Sequence, residues 1–177
     1  MSTRKTQFKG TVQRPGQPPE DVTLILDEIN PLEQIKVKTA NETRTTNTVL
    51  SVDNDFADFI LDIDQRYAVE GVFHLSGSPG EFDYKFAFTD SAPAGTKAFI
   101  SVDDTGSVID SGNVAIGSEE RITLDTGNQL ALIYGHFLSN ATFGGTMQIE
   151  WAQGISSATA TTFVAGSWLK ITKVDTT

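Results

Sequence analysis

The chain has 177 residues, a formal net charge of −10 and no cysteine. That length is one domain's worth, enough to bury about 70% of the surface the unfolded chain exposes. The missing thiols exclude a disulfide framework, a thiolate nucleophile and a zinc–thiolate site, and no apolar run approaches the roughly 18 residues of a membrane span.

The N-terminus, Met-Ser-Thr-Arg-Lys-Thr, lacks the apolar region of a secretory signal, so synthesis in the cytoplasm is expected. The first 19 residues carry Arg4, Lys5, Lys9 and Arg14 and no acid, a charge of +4 that leaves −14 for the remainder. A body that acidic repels nucleic acid, and no nucleic-acid or membrane partner is expected. The basic segment reads as an extended arm that gains order against a partner, its Pro and Gly content working against a core of its own. Pro15, Pro18 and Pro19 separate it, as a stiff connector, from the apolar run Val22 to Leu26. Residues 1–35 are therefore assigned to an arm with one short strand, and 36–177 to a single β domain.

From residue 35 onward the pattern is of strands. Pro31 to Lys38 is the one helical competitor, and its Ile, Val and Thr content weakens it. Ile35 to Thr39 and Thr46 to Val52 are short and flanked by polar residues. Tyr67, Val69, Phe73 and Leu75 share one face of the next strand, which Ser76 to Gly80 turns. Phe82, Tyr84, Phe86 and Phe88 then alternate with Asp83, Lys85, Ala87 and Thr89, giving one core face and one wet face. Strands at 97–102, 112–116 and 119–125 follow, separated by Ser-Ala-Pro-Ala-Gly and Asp-Asp-Thr-Gly turns. This spacing predicts an all-β, antiparallel jelly-roll sandwich with an extended N-terminal arm.

The segment Leu130 to Leu138 has apolar residues on both faces. Leu130, Leu132, Tyr134 and Leu138 form one row, and Ala131, Ile133 and Phe137 the other. A sheet of a two-layer sandwich has one inner face, so the second row needs cover from elsewhere. The expectation is that Ala131, Ile133, Gly135 and Phe137 meet copies of themselves, the small Ala131 and Gly135 allowing close approach. Met147, Ile149 and Trp151 then alternate with Gln148, Glu150 and Ala152. Ser156 to Thr162 is a loop of small polar residues, and Ser167 to Val174 is a closing strand.

These last pieces, a strand ending Trp-Ala-Gln, a Ser-Ala-Thr-Ala-Thr-Thr loop and then Ala-Gly-Ser-Trp-Leu, resemble the C-terminal signature of bacteriophage virion proteins with a trimeric jelly-roll domain of the tumour-necrosis-factor and complement type. The likeness extends backward, less distinctively, through Phe82 to Thr89, Arg66 to Gly71 and the Thr-rich stretch from Lys38 to Asp55, covering 36–174. The resemblance implies a homotrimer whose inner sheet faces a threefold axis. It also implies a virion protein bound to the major capsid protein or another virion protein. A capsid decoration, or cement, protein held to the capsid surface by the arm residues Arg4, Lys5, Lys9 and Arg14 is the expected role. The alternative is a tail-associated receptor-binding module.

Signs of catalysis are sparse. His74 and His136 lie in mid-strand opposite the main core row, with no nucleophile elbow holding a serine near them. Asp53, Asp55, Asp58, Asp62 and Asp64, and separately Asp103–Asp104, are rich in oxygen but lack the order of a calcium loop, so solvated, turn-making aspartates are expected. Gly144–Gly145 is a bend, not a phosphate cradle. No enzyme, no metal and no cofactor are expected.

Overall fold

The fold is taken from a computed structural model that describes residues 5–12, 20–27, 33–77, 80–89, 93–139 and 144–174. The chain divides into two units, Met1–Pro31 and Leu32–Thr177. In the first, β1 (Lys5–Val12) pairs antiparallel with β2 (Glu20–Asp27), from Lys5 opposite Asp27 to Val12 opposite Glu20. The basic segment therefore folds back as a hairpin where a lone extended arm was expected. Its own Thr- and Val-containing strand finds a ladder partner in the apolar run beyond the prolines, so the facing main-chain groups of the two strands pair without a second molecule. Lys5 and Lys9 lie on β1; Arg4 and Arg14 fall outside the described residues.

The second unit is a sandwich of two antiparallel sheets. Its elements in chain order are β3 (Glu33–Val37), β4 (Glu42–Arg44), β5 (Ser51–Val52), a 3-10 turn (Asn54–Phe56), β6 (Phe59–Leu61), β7 (Arg66–Gly77) and β8 (Gly80–Phe88). There follow β9 (Ala94–Val102), β10 (Val108–Ala115), β11 (Glu120–Leu124), β12 (Gly127–Leu138), β13 (Gly145–Gln153), β14 (Thr161–Phe163) and β15 (Trp168–Val174). The larger sheet runs β10-β9-β12-β7, and the long β7 then pairs with β14 at one end and β15 at the other, which continue to β4 and β3. The smaller sheet runs β11-β8-β13, with β5 and β6 sharing the outer edge of β13. The stretch weighed as a helix is β3, as its β-branched content favours. No helix among the described residues is long and apolar enough to cross a membrane.

Alternation sets the core. Tyr67, Val69, Phe73 and Leu75 of β7 face Phe82, Tyr84 and Phe86 of β8 and Met147, Ile149 and Trp151 of β13, all buried. The rings interlock across the layers: Phe73 meets Tyr84 edge-on at 5.6 Å and Phe163 at 4.9 Å, while Phe82 stacks on Trp151 at 5.2 Å.

One expectation is reversed here. Ala131, Ile133 and Phe137, taken above as an interface between copies, are 0, 2 and 1% exposed and belong to the sandwich core, with Gly135 on the same row half-buried. It is Leu130, Leu132 and Tyr134 that reach solvent, at 37, 45 and 49%. Side-chain size misleads at this strand. The opposite sheet turns its rings inward over β12, where Phe137 packs on Phe88 at 5.4 Å as well as on Tyr67 of the neighbouring β7 at 5.2 Å. A row with small Ala131 and Gly135 leaves that volume free, whereas the Leu and Tyr row would overfill it.

Candidate functional site

The outer face of the larger sheet is the most distinctive surface of the sandwich. Strand register brings Val37 (β3), Trp168 (β15), Val72 (β7), Leu132 (β12) and Ile100 (β9) into one row across five strands. A second row sets Leu130 beside His74 and Val102, and Val102 beside Val108. Several of these side chains are well exposed, including Val37 at 50% and Val108 at 66%. Beyond the Leu132 row, on the side away from Leu130, lie Tyr134 and the pair Glu70 and Lys170, with Ile35 opposite Lys170; the Lys170 ammonium also reaches Glu33 at 3.5 Å. Two adjoining apolar rows bordered by a polar stripe give this sheet face a composition common at protein interfaces.

The signature that carries the family resemblance holds the loops beside this sheet in place. Arg44 lies over the Trp151 ring at 4.0 Å, donates to the Trp151 carbonyl, and pairs with Glu42 at 2.6 Å. The Gln153 amide donates to the Thr159 carbonyl at 2.8 Å and its oxygen accepts from the Asn47 N–H at 3.2 Å, tying the Ser-Ala-Thr loop to the segment before β5. Ser167 Oγ accepts from the His74 N–H at 2.8 Å and donates to the Val164 carbonyl at 2.7 Å, and Gly166 takes a left-handed φ of 86° that disfavours a side chain. The Ala165 N–H donates to Asn41 Oδ1 at 2.8 Å. Trp151, Gln153 and the Ala-Gly-Ser turn thus fasten the C-terminal strands to residues 38–55.

The two histidines sit on the outer face, His74 half-buried and His136 exposed. Asp103 caps the β9–β10 hairpin, one oxygen accepting from the Thr105 hydroxyl at 2.7 Å and from the Thr105 and Ser107 N–H groups. The Thr105 hydroxyl and these amides hold its carboxyl below the usual range. Asp53 departs from the solvated role expected of it: it is fully buried, caps the 3-10 turn and contacts the buried Lys38 ammonium. Among the described residues no group of three or more His, Asp or Glu side chains is placed to hold a metal ion. An open cavity of about 500 Å³ lies where the β9–β10 hairpin meets the apolar face, lined by His74, Val102, Asp103, Asp104, Asn128 and Leu130 among others. Sequence reasoning missed the exposed rows because period 2 marks two faces without saying which is inner; Ile35 and Val37 gave a signal, as apolar residues on a short strand flanked by charge.

No family model matches the chain, and no curated protein matches it. Solved structures of infectious bursal disease virus show a weak likeness. The Gx strain structure is 10% identical with a TM-score of 0.20, over 93% of this chain and 46% of the matched chain. The Gt strain structure is 12% identical with a TM-score of 0.20, over 94% and 43%. The chain spans less than half the length of these viral chains, and a score of that size carries no argument about fold or role.

Proposed function

We propose that this chain is a non-enzymatic structural protein of a phage particle, a homotrimeric capsid decoration protein that stabilises the shell by bridging its subunits. The observation that carries the reading is the apolar outer face centred on Leu132. A monomer has no use for five apolar residues in register across five strands, and three copies around a threefold axis bury them together. The resemblance of the C-terminal strands and loop to trimeric virion jelly rolls supports the same assembly. The basic N-terminal residues Arg4, Lys5, Lys9 and Arg14 then act in triplicate. Weak contacts to an acidic capsid surface multiply through effective concentration, and they weaken as salt screens them. The protein stays with the virion after synthesis in the host cytoplasm and needs neither cofactor nor nucleic acid.

A second reading, a tail-associated receptor-binding module, is favoured by the cavity at the β9–β10 hairpin, whose apolar floor and Asp rim suit a ligand on the host surface. Co-sedimentation with stripped phage capsids at low and high salt separates the two. The cement reading predicts binding that is lost when Arg4, Lys5, Lys9 and Arg14 are together changed to Gln. Binding equal to that of the unchanged protein would overturn the anchoring role.

A further inference from the structure

The geometry points to a self-forming amide cross-link between Lys38 and Asp53. Lys38 follows β3, and Asp53 stands between β5 and the 3-10 turn. Both side chains are shut off from solvent, at 3 and 0% exposure, and the Lys38 ammonium touches Asp53 Oδ2. The Phe163 ring lies 5.0 Å from Lys38 Nζ, giving the pair an aromatic wall. A buried amine held against a buried carboxyl in a water-poor site has the effective concentration and the dryness that amide formation needs, since bulk water otherwise drives the equilibrium to the acid.

The neighbours supply the remaining parts. Glu42 Oε2 lies 3.3 Å from Lys38 Nζ, and Asp55 Oδ2 lies 3.7 Å away. Burial pulls the Glu42 carboxyl up, but Arg44 and Lys38 together outweigh it, so it stays ionised and can take a proton from the ammonium. Burial, by contrast, raises the Asp53 carboxyl above its ordinary value, towards the neutral acid that an amine attacks. The other Asp53 oxygen, Oδ1, accepts the Asp55 backbone N–H at 3.0 Å, a donor already aimed where charge develops as the carbonyl carbon becomes tetrahedral.

In the step, the Nζ lone pair attacks the Asp53 carboxyl carbon, the C–N bond forms and the C–Oδ2 bond breaks. Glu42 carries protons from nitrogen to Oδ2. Of the three ammonium protons, two leave with Oδ2 as water and one stays on the amide nitrogen, so no oxidant or other reactant is required. The link would tie the start of the sandwich to the 3-10 turn and lock the loops that the C-terminal signature fastens. The second buried pair makes a useful contrast. Lys97 Nζ is 3.9 Å from Glu120 Oε2, and Glu120 Oε1 has no hydrogen-bond donor.

The test is the intact mass of the purified full-length protein under denaturing conditions, followed by peptide sequencing of a tryptic digest. The expected result is a mass short by one water, with a branched peptide joining Lys38 to Asp53 and no cleavage after Lys38. Lys38→Arg and Asp53→Ala should each show full mass, and Glu42→Gln should slow or abolish the loss. A folded wild-type protein of unreduced mass after prolonged incubation would overturn the inference, as would a water loss mapped to any other pair, Lys97 and Glu120 included. Because the decisive reading is on the wild type, a variant that fails to fold leaves the outcome intact.

Discussion

Replacing Lys97 with Met should remove a pH dependence of stability that runs opposite to the usual alkaline weakening. Lys97 projects from β9 into the sandwich at 1% exposure, where its ammonium donates to the Ser118 carbonyl. It sits over the rings of Tyr84 and Phe86 at 4.9 and 5.6 Å. Glu120 is 3.9 Å away and is partly occupied by the Tyr84 hydroxyl, which donates to it at 2.9 Å. Burial therefore dominates over the attraction of Glu120 and Glu119, and the lysine is brought down to about 8. Between that value and the 10.5 of an ordinary lysine, the unfolded chain holds a proton the folded chain has released. Unfolding then takes up a proton, so stability rises with pH across the window. At about 1.4 kcal/mol per pH unit, the gain between pH 8 and pH 10 is roughly 2 to 3 kcal/mol. Tyr84, whose proton is held well above pH 10 by burial and by Glu120, pulls the other way only beyond that range. Removing the ammonium also raises Glu120, already high through burial, and adds to the difference in the same sense. Urea midpoints at pH 7, 8, 9 and 10 measure the effect. The wild type should gain on Lys97→Met as pH rises, and a difference that stays flat from pH 8 to 10 refutes the buried-lysine argument.

Two further substitutions probe the facing of the strands. Phe86→Ala removes a fully buried ring from the middle of β8 and should cost roughly 3 to 5 kcal/mol, seen as a lowered thermal midpoint; a midpoint within about a degree of wild type would mean the ring is not in the core. Adjacent residues of β12 should behave as opposites: Ile133→Asp buries a charge and should unfold the protein, whereas Leu132→Asp, at an exposed position, should keep the fold within about 0.5 kcal/mol as a monomer. Circular dichroism together with sedimentation velocity reads both, and the reverse ranking would contradict the assigned rows.

How far the sequence could be read varied with the kind of information each element needs. Strand β8 was legible because four aromatic residues alternate with polar ones, and a single strand then fixes its own inner face. Strand β12 was legible as a strand but not in its orientation. Both of its rows are apolar, and the choice depends on the rings brought against it from β8 and β13, far away in sequence. The β1–β2 pairing escaped notice because the prolines that break the pattern between 13 and 19 read as a connector, and nothing local marks the strands on either side of them as partners. Lys38 and Asp53 gave no signal, since nothing local marks two residues that meet only when β3, the 3-10 turn and β14 close together. The C-terminal signature, by contrast, was the clearest sequence feature, and its Arg44–Trp151 and Gln153–Thr159 contacts give its residue types a structural reason.

Assembly of three copies through the apolar outer face of the larger sheet is read from the mass of the wild-type protein in solution, measured by light scattering at micromolar concentration. The expected mass is three times the 19.1 kDa of one chain, falling to that of a single chain in Leu132→Asp while the fold persists. A wild-type protein with the mass of one chain, or a Leu132→Asp variant that remains a trimer, would contradict it.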